Sequence, residues 1–175
     1  MQKSKLSLLM VVSLMVMLVF SFNLSCYGAE DTIKLGHIVP FTGDLSFIGQ
    51  PFQNAAKLAV DHVNEAGGIL GKEVEIISED SGTDARGAVD ALDKLINING
   101  IEVLEGGIST IEASAIIQKV KFNQVLNLSP SATSPKLTGA DDGDYFFRTC
   151  PSDALQGASL AKLARDKGYE TASVI

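Results

Sequence analysis

Two short apolar runs, Ile101–Leu104 and Val125–Leu128, are each followed at once by hydroxyls and small residues. The first cluster reads Gly106-Gly107-Ile108-Ser109-Thr110, the second Ser129-Pro130-Ser131-Ala132-Thr133-Ser134-Pro135. A helical pattern, Ile111–Asn123, lies between them. In an open parallel sheet ligands sit in the crevice outside the carboxyl ends of the strands. Neighbouring strands that both end in Ser and Thr therefore form a cradle for a small polar molecule, and Gly106-Gly107 lets the backbone come close to it. Ser109 and Thr110 admit two readings. They cap the helix, as any helix start requires, or they mark an N-terminus whose amides and dipole hold a carboxylate.

The rest of the chain repeats the alternation. Thr32–Val39 reads as a β-branched strand ended by Pro40, and Pro40–Asp44 as a loop. Helical periodicity from about Gly49 to Ala66 places Phe52, Ala55, Ala56, Leu58, Ala59, His62 and Val63 on one buried face, and Gly67-Gly68 stops it. Glu73–Ser78 is a second strand, Glu79–Asp84 a polar loop, and Asp84 the N-cap of a helix over Ala85–Asn97. Tyr145–Thr149 is a further strand and Asp153–Lys167 a further helix, ended by Gly168. Another strand begins at Thr171, on which the sequence stops, so the chain is expected to be a fragment. The fold class is α/β with a doubly wound, mostly parallel sheet.

Several functions are excluded. Residues 1–29 carry Lys3 and Lys5, an apolar run Leu6–Phe22 and small residues around Cys26-Tyr27-Gly28-Ala29, the layout of an export signal. Without that leader the net charge of −7 deepens to −9, with 12 basic against 21 acidic residues. No basic stripe exists to displace counterions from a nucleic acid. Neither phosphate-binding glycine fingerprint nor a nucleophile elbow occurs. His37 and His62 lack an evident acid partner and read as packing residues. The acidic stretch 79–84 lacks calcium-loop spacing and reads as a solvated turn. Cys150 reads as a buried or half-buried thiol. No enzyme, cofactor or metal site is expected.

Three phrases carry a resemblance: IKLGHIVPFTGDLSFIGQ, VNEAGGILGKEVEI with its follow-on SEDSGTD, and LSPSATSPKLT leading to YFFRTCPSDALQG. Over residues 31–175 the chain resembles the extracytoplasmic solute-binding proteins of ABC importers for branched-chain amino acids. The resemblance implies a type I periplasmic-binding-protein architecture. Residues 30–150 would form the N-terminal lobe, and 151–175 the hinge and first helix and strand of a second lobe. It implies that Thr110, beside Ser109, meets a ligand carboxylate. Ser131 offers a backbone carbonyl to the ammonium, and Thr133 contacts both ends, with Ala132 between. Ile48, with Phe47 adjacent, stands where an aromatic residue often lines the side-chain pocket. Thr83 and Ser109 occupy the places of a disulfide found in some relatives. Cys26 after Leu24-Ser25 resembles a lipoprotein cysteine, although Asn23 replaces the usual aliphatic residue. The implied partners are an amino acid or amide and the importer's permease subunits. The alternative is a sensory ligand-binding domain of the same fold.

Overall fold

The computed structural model describes residues 32–173; the expected leader and Cys26 lie outside them. Five strands, β1 (Ile33–Val39), β2 (Val74–Asp80), β3 (Val103–Glu105), β4 (Leu126–Ser129) and β5 (Phe146–Arg148), form one sheet in the order β2-β1-β3-β4-β5. Every pairing is parallel. Helix α1 (Ser46–Glu65) links β1 to β2, α2 (Ala85–Lys94) links β2 to β3, and α3 (Thr110–Asn123) links β3 to β4. Helix α4 (Asp153–Asp166) follows β5. From β1 the chain steps outward to β2, then returns past β1 to build β3, β4 and β5. The strand order thus reverses between β1 and β3, which opens a crevice at their carboxyl ends.

The core lies between the sheet and α2 and α3. Ile38, Leu92, Leu95, Leu104, Ile116 and Val120 are fully buried there. Burying side chains of this size contributes about 1.5–3 kcal/mol each. Asp84 caps α2 as its sequence predicts, accepting from the amides of Arg86 and Gly87. Beyond Lys94 the helix widens into a π-turn, Leu95–Asn99, closed by Gly100 at φ 68°. A second cluster, Ala113, Ile117, Ala132, Leu137 and Phe146, extends the same layer beneath α3.

The other face is covered only in part. The predicted buried stripe of α1 is corrected: Leu58 is 56% and Val63 36% exposed, and Ala55, Ala59 and His62 are exposed too. The residues that α1 does bury are Gly49 and Gln53. Periodicity located an apolar face, but α1 rests chiefly on β1 and β2, and Leu126, Leu128 and Phe147 of the neighbouring strands stay partly exposed. Helix α1 also begins at Ser46, ahead of the predicted start. Gly49 and Pro51, both poor helix formers, masked its first turn. At the other end, residues 171–173 form no strand. Among the described residues they have no strand neighbour, which a strand requires, and residues 174 and 175 of the expected strand lie outside the described residues.

The sheet's carboxyl edge is held together by Asp80, which ends β2 rather than lying in a loop. Its Oδ1 accepts from the amides of Phe41 (2.8 Å), Thr42 (3.2 Å) and Gly82 (2.9 Å), and its Oδ2 from Thr42 Oγ1 (2.6 Å). Partial burial works against the charged form, yet these donors outweigh it and hold the carboxyl below its ordinary value. A depressed folded-state pKa stabilises above the unfolded value, near 3.9, and that contribution is lost as pH falls through the folded value. Urea unfolding should therefore find Asp80→Asn less stable than wild type at pH 7, with the gap closing below about pH 4. A gap that persists undiminished in acid would show that the charge is not what holds this edge.

Candidate functional site

Beta strands 3 and 4 are neighbours in register, Glu105 opposite Leu128, so the two hydroxyl clusters emerge side by side. Local hydrogen bonds stitch them together. Ser129 Oγ donates to the carbonyl of Gly107 and Ser131 Oγ to that of Ile108, both at 2.6 Å. The Gly106 amide donates to the Leu128 carbonyl at 3.1 Å. Gly107 takes φ 72°, which lets the chain turn sharply from β3 into α3.

Ser109 is the N-cap of α3, and its role there is explicit. Its hydroxyl accepts from the Glu112 amide at 3.2 Å, while Glu112 Oε2 accepts from the Ser109 amide at 2.8 Å, a reciprocal capping box. The buried Glu112 also accepts from Ser81 Oγ at 2.5 Å, which ties the start of α3 to the end of β2. Capping thus occupies Ser109. Thr110, one residue on, keeps its hydroxyl free of any hydrogen bond within the described residues. Thr110 is half-buried at the first turn of α3, where backbone amides and the helix dipole attract anions.

The second cluster is similarly divided. Ala132 is fully buried; its amide donates to Ser129 Oγ and its carbonyl accepts from Arg148 Nη1 at 3.1 Å. The Cys150 thiol, half-buried, lies 3.5 Å from the same carbonyl. Thr133 uses its carbonyl to accept from the Asp153 amide at 2.9 Å. Its hydroxyl and the Ser131 carbonyl have no partner among the described residues. Two hydroxyls and a carbonyl are therefore left open on neighbouring loops, with helix-start amides beside one of them. That set can accept from an ammonium and donate to a carboxylate. Phe47 and Ile48 lie apart, in the first turn of α1 after β1; Phe47 is 73% exposed and Ile48 half-buried.

Several supporting residues escaped the sequence reading. Arg148 also donates to the Ser134 carbonyl and to Thr138 Oγ1, bracing the second cluster from behind. His37, read as having no acid partner, contacts Glu105 through Nδ1. The parallel register sets His37 opposite Glu105, a pairing between strands far apart in the chain. Glu112 belongs with these residues. Its Ser/Thr-x-x-Glu spacing from Ser109 was the available signal. Among the described residues no group of His, Cys, Asp and Glu is arranged to hold a metal ion.

Comparison with known proteins agrees with this architecture. The chain is 31% identical over 149 residues to a chemotactic signal transduction system substrate-binding protein, BasB, of Halobacterium salinarum, covering 82% of this chain and 36% of that protein. It is 33% identical over 134 residues to the Leu/Ile/Val-binding protein BraC3 of Rhizobium johnstonii, covering 77% and 36%. The crystal structure of the branched-chain amino acid transporter substrate-binding protein LivJ of Streptococcus pneumoniae, in complex with isoleucine, superposes with a TM-score of 0.72 at 30% identity. That match covers 78% of this chain and 39% of the other. The chain thus spans little more than a third of the length of these relatives. A family model described as periplasmic binding protein matches residues 32–175, and the chain belongs to that family.

Proposed function

We propose that this chain forms the first ligand-binding lobe of a solute receptor that captures a branched-chain or related amino acid outside the cytoplasmic membrane and delivers it to the permease of an ABC importer. The observation that carries the reading is the open set on the β3 and β4 loops: Thr110 Oγ1, Thr133 Oγ1 and the Ser131 carbonyl, unpartnered among the described residues beside the start of α3. Thr110 and the α3 amides take the ligand carboxylate. The Ser131 carbonyl takes the ammonium, Thr133 touches both ends, and Ala132 holds the turn between them. Phe47 and Ile48 line the side-chain end. Residues 1–29 direct export, and Cys26 is the position a lipid anchor would take. The hinge to a second lobe falls at residues 149–152, with α4, which buries no residue against this lobe, on its far side.

The similarity to a transporter protein bound to isoleucine supports the substrate class. The similarity to a chemotactic substrate-binding protein favours a second reading, in which the same lobe reports its ligand to a signalling receptor. Co-purification with a permease or with a transmembrane signalling protein separates the two.

An NMR titration of the chain with L-leucine, L-isoleucine and L-valine tests the site. Saturable shifts at the Thr110 and Thr133 amides are expected, and their absence with all three ligands would overturn the reading. Thr133→Ala should weaken binding by about 1–3 kcal/mol, because a charged ligand group then loses a hydrogen-bond partner. Unchanged affinity would remove Thr133 from the site.

A further inference from the structure

The hydroxyl clusters recognise what all α-amino acids share and leave open what distinguishes one side chain from another. On the receptor reading that task falls to apolar residues that follow β1. Phe41 lies in the loop, 36% exposed, and Phe47 and Ile48 lie in the turn of helix it feeds. This loop is held chiefly from outside. Asp80 collects the Phe41 and Thr42 amides and the Thr42 hydroxyl. Thr83 Oγ1 donates to the Thr42 carbonyl at 2.9 Å and accepts from the Leu45 amide at 3.1 Å. Within the loop, main-chain bonds among the described residues join Phe41 to Val39, Ser46 to Gly43 and Ile48 to Leu45. The position of the loop relative to the clusters is thus set by the end of β2.

We propose that Asp80 is a positioning residue for ligand selectivity: it touches no ligand, and it fixes the β1–α1 loop as the wall against which the ligand side chain packs. The inference rests on the receptor reading above and deepens it. It follows from the geometry that two functions are separately supported. Glu112 and Ser81 hold the α3 start, where the carboxylate binds, and Asp80 holds the wall for the side chain. Because Asp80 and Ser81 are adjacent at the end of β2, one short segment sets both. A wall displaced by an ångström loses contact with methyl groups and leaves the charged ends of the ligand undisturbed. A single methylene in a fitted apolar pocket is worth about tenfold or more in discrimination.

The test compares L-leucine with glycine, by NMR titration, in wild type, Asp80→Ala and Asp80→Asn. Asp80→Ala removes every bond that Asp80 makes to the loop and leaves the two through Thr83 Oγ1. An Asn side chain can still accept from the Phe41, Thr42 and Gly82 amides through its oxygen and donate to Thr42 Oγ1 through its nitrogen. Amide hydrogen exchange at Phe41 and Thr42, read on the same samples, reports whether the loop is released. The expected result is faster exchange in Asp80→Ala, with a leucine-over-glycine preference about tenfold smaller and glycine binding unchanged. Asp80→Asn should restore most of the preference. Equal losses for leucine and glycine, an unchanged preference with a released loop, or no recovery in Asp80→Asn would each overturn the proposal and leave the receptor reading standing. If wild type binds neither ligand, the receptor reading falls and the selectivity role falls with it.

Discussion

Replacing Glu112 by alanine is expected to cost about 3 kcal/mol of folding stability, whereas Glu112→Gln should cost only about 1 kcal/mol. The carboxylate is fully buried, and each of its oxygens has a job: Oε1 accepts from Ser81 Oγ at 2.5 Å and Oε2 from the Ser109 amide at 2.8 Å. Alanine strands the buried Ser81 hydroxyl and the part-buried Ser109 amide, at about 1–3 kcal/mol for each such donor, and leaves a void as well. Glutamine keeps the shape. Its oxygen can accept from the Ser109 amide and its nitrogen can donate to Ser81 Oγ, so the loss is confined to charge assistance. Urea denaturation followed by circular dichroism reads the difference. An alanine variant as stable as wild type, or a glutamine variant as damaged as alanine, would show that the bridge does not hold α3 to β2.

The fold was legible because its signals are local. Short β-branched runs, glycine stops and the Asp84 cap lie within a few residues of the elements they define, and each strand and α-helix of the described residues appears near its predicted place. What failed was inference about partners. The stripe on α1 is apolar, as its spacing indicates, but spacing is silent on what lies against it; here part of it lines a groove of about 440 Å³ with Leu35, Val74 and Glu105. The same silence let the end of β2 read as a solvated loop. Asp80 is polar, and nothing in its neighbourhood says that it bonds to Thr42, 38 residues earlier.

The candidate site divides in the same way. Hydroxyls directly after a strand were readable because topology sends neighbouring parallel strands to the same edge. Which hydroxyls are spent on structure was not readable. Ser109, Ser129 and Ser131 form the framework through their side chains, whereas Thr110 and Thr133 keep theirs free among the described residues, and only the three-dimensional register separates the two groups. His37 and Glu105, and Ser81 and Glu112, are pairs that strand order brings together across long stretches of chain.

Gly87→Ala offers the sharpest contrast between local propensity and packing. Alanine is the better helix former by about 1 kcal/mol, and Gly87 lies within α2, so propensity alone forecasts a more stable protein. A Cβ at that position, however, would stand 2.0 Å from the carbonyl oxygen of Ser81. That oxygen is backbone at the end of β2, with no rotamer through which to yield, so either α2 or the strand end must move. Overpacking of this kind costs about 3 kcal/mol, and a net loss of about 2 kcal/mol remains after the propensity gain. Gly157→Ala in α4 is the control, because its Cβ would meet nothing within 4 Å and only the propensity gain applies. Thermal unfolding of both variants decides the matter: a lowered midpoint for Gly87→Ala beside an unchanged or raised one for Gly157→Ala is the expected pair, and a raised midpoint for both would refute the close contact. The displacement should also pull Ser81 Oγ away from Glu112. Combining Gly87→Ala with Glu112→Ala should therefore cost less than the two separate losses added together, since each breaks the same link between β2 and α3. Full additivity would mean that Ser81 stays in place and that α2 alone gives way.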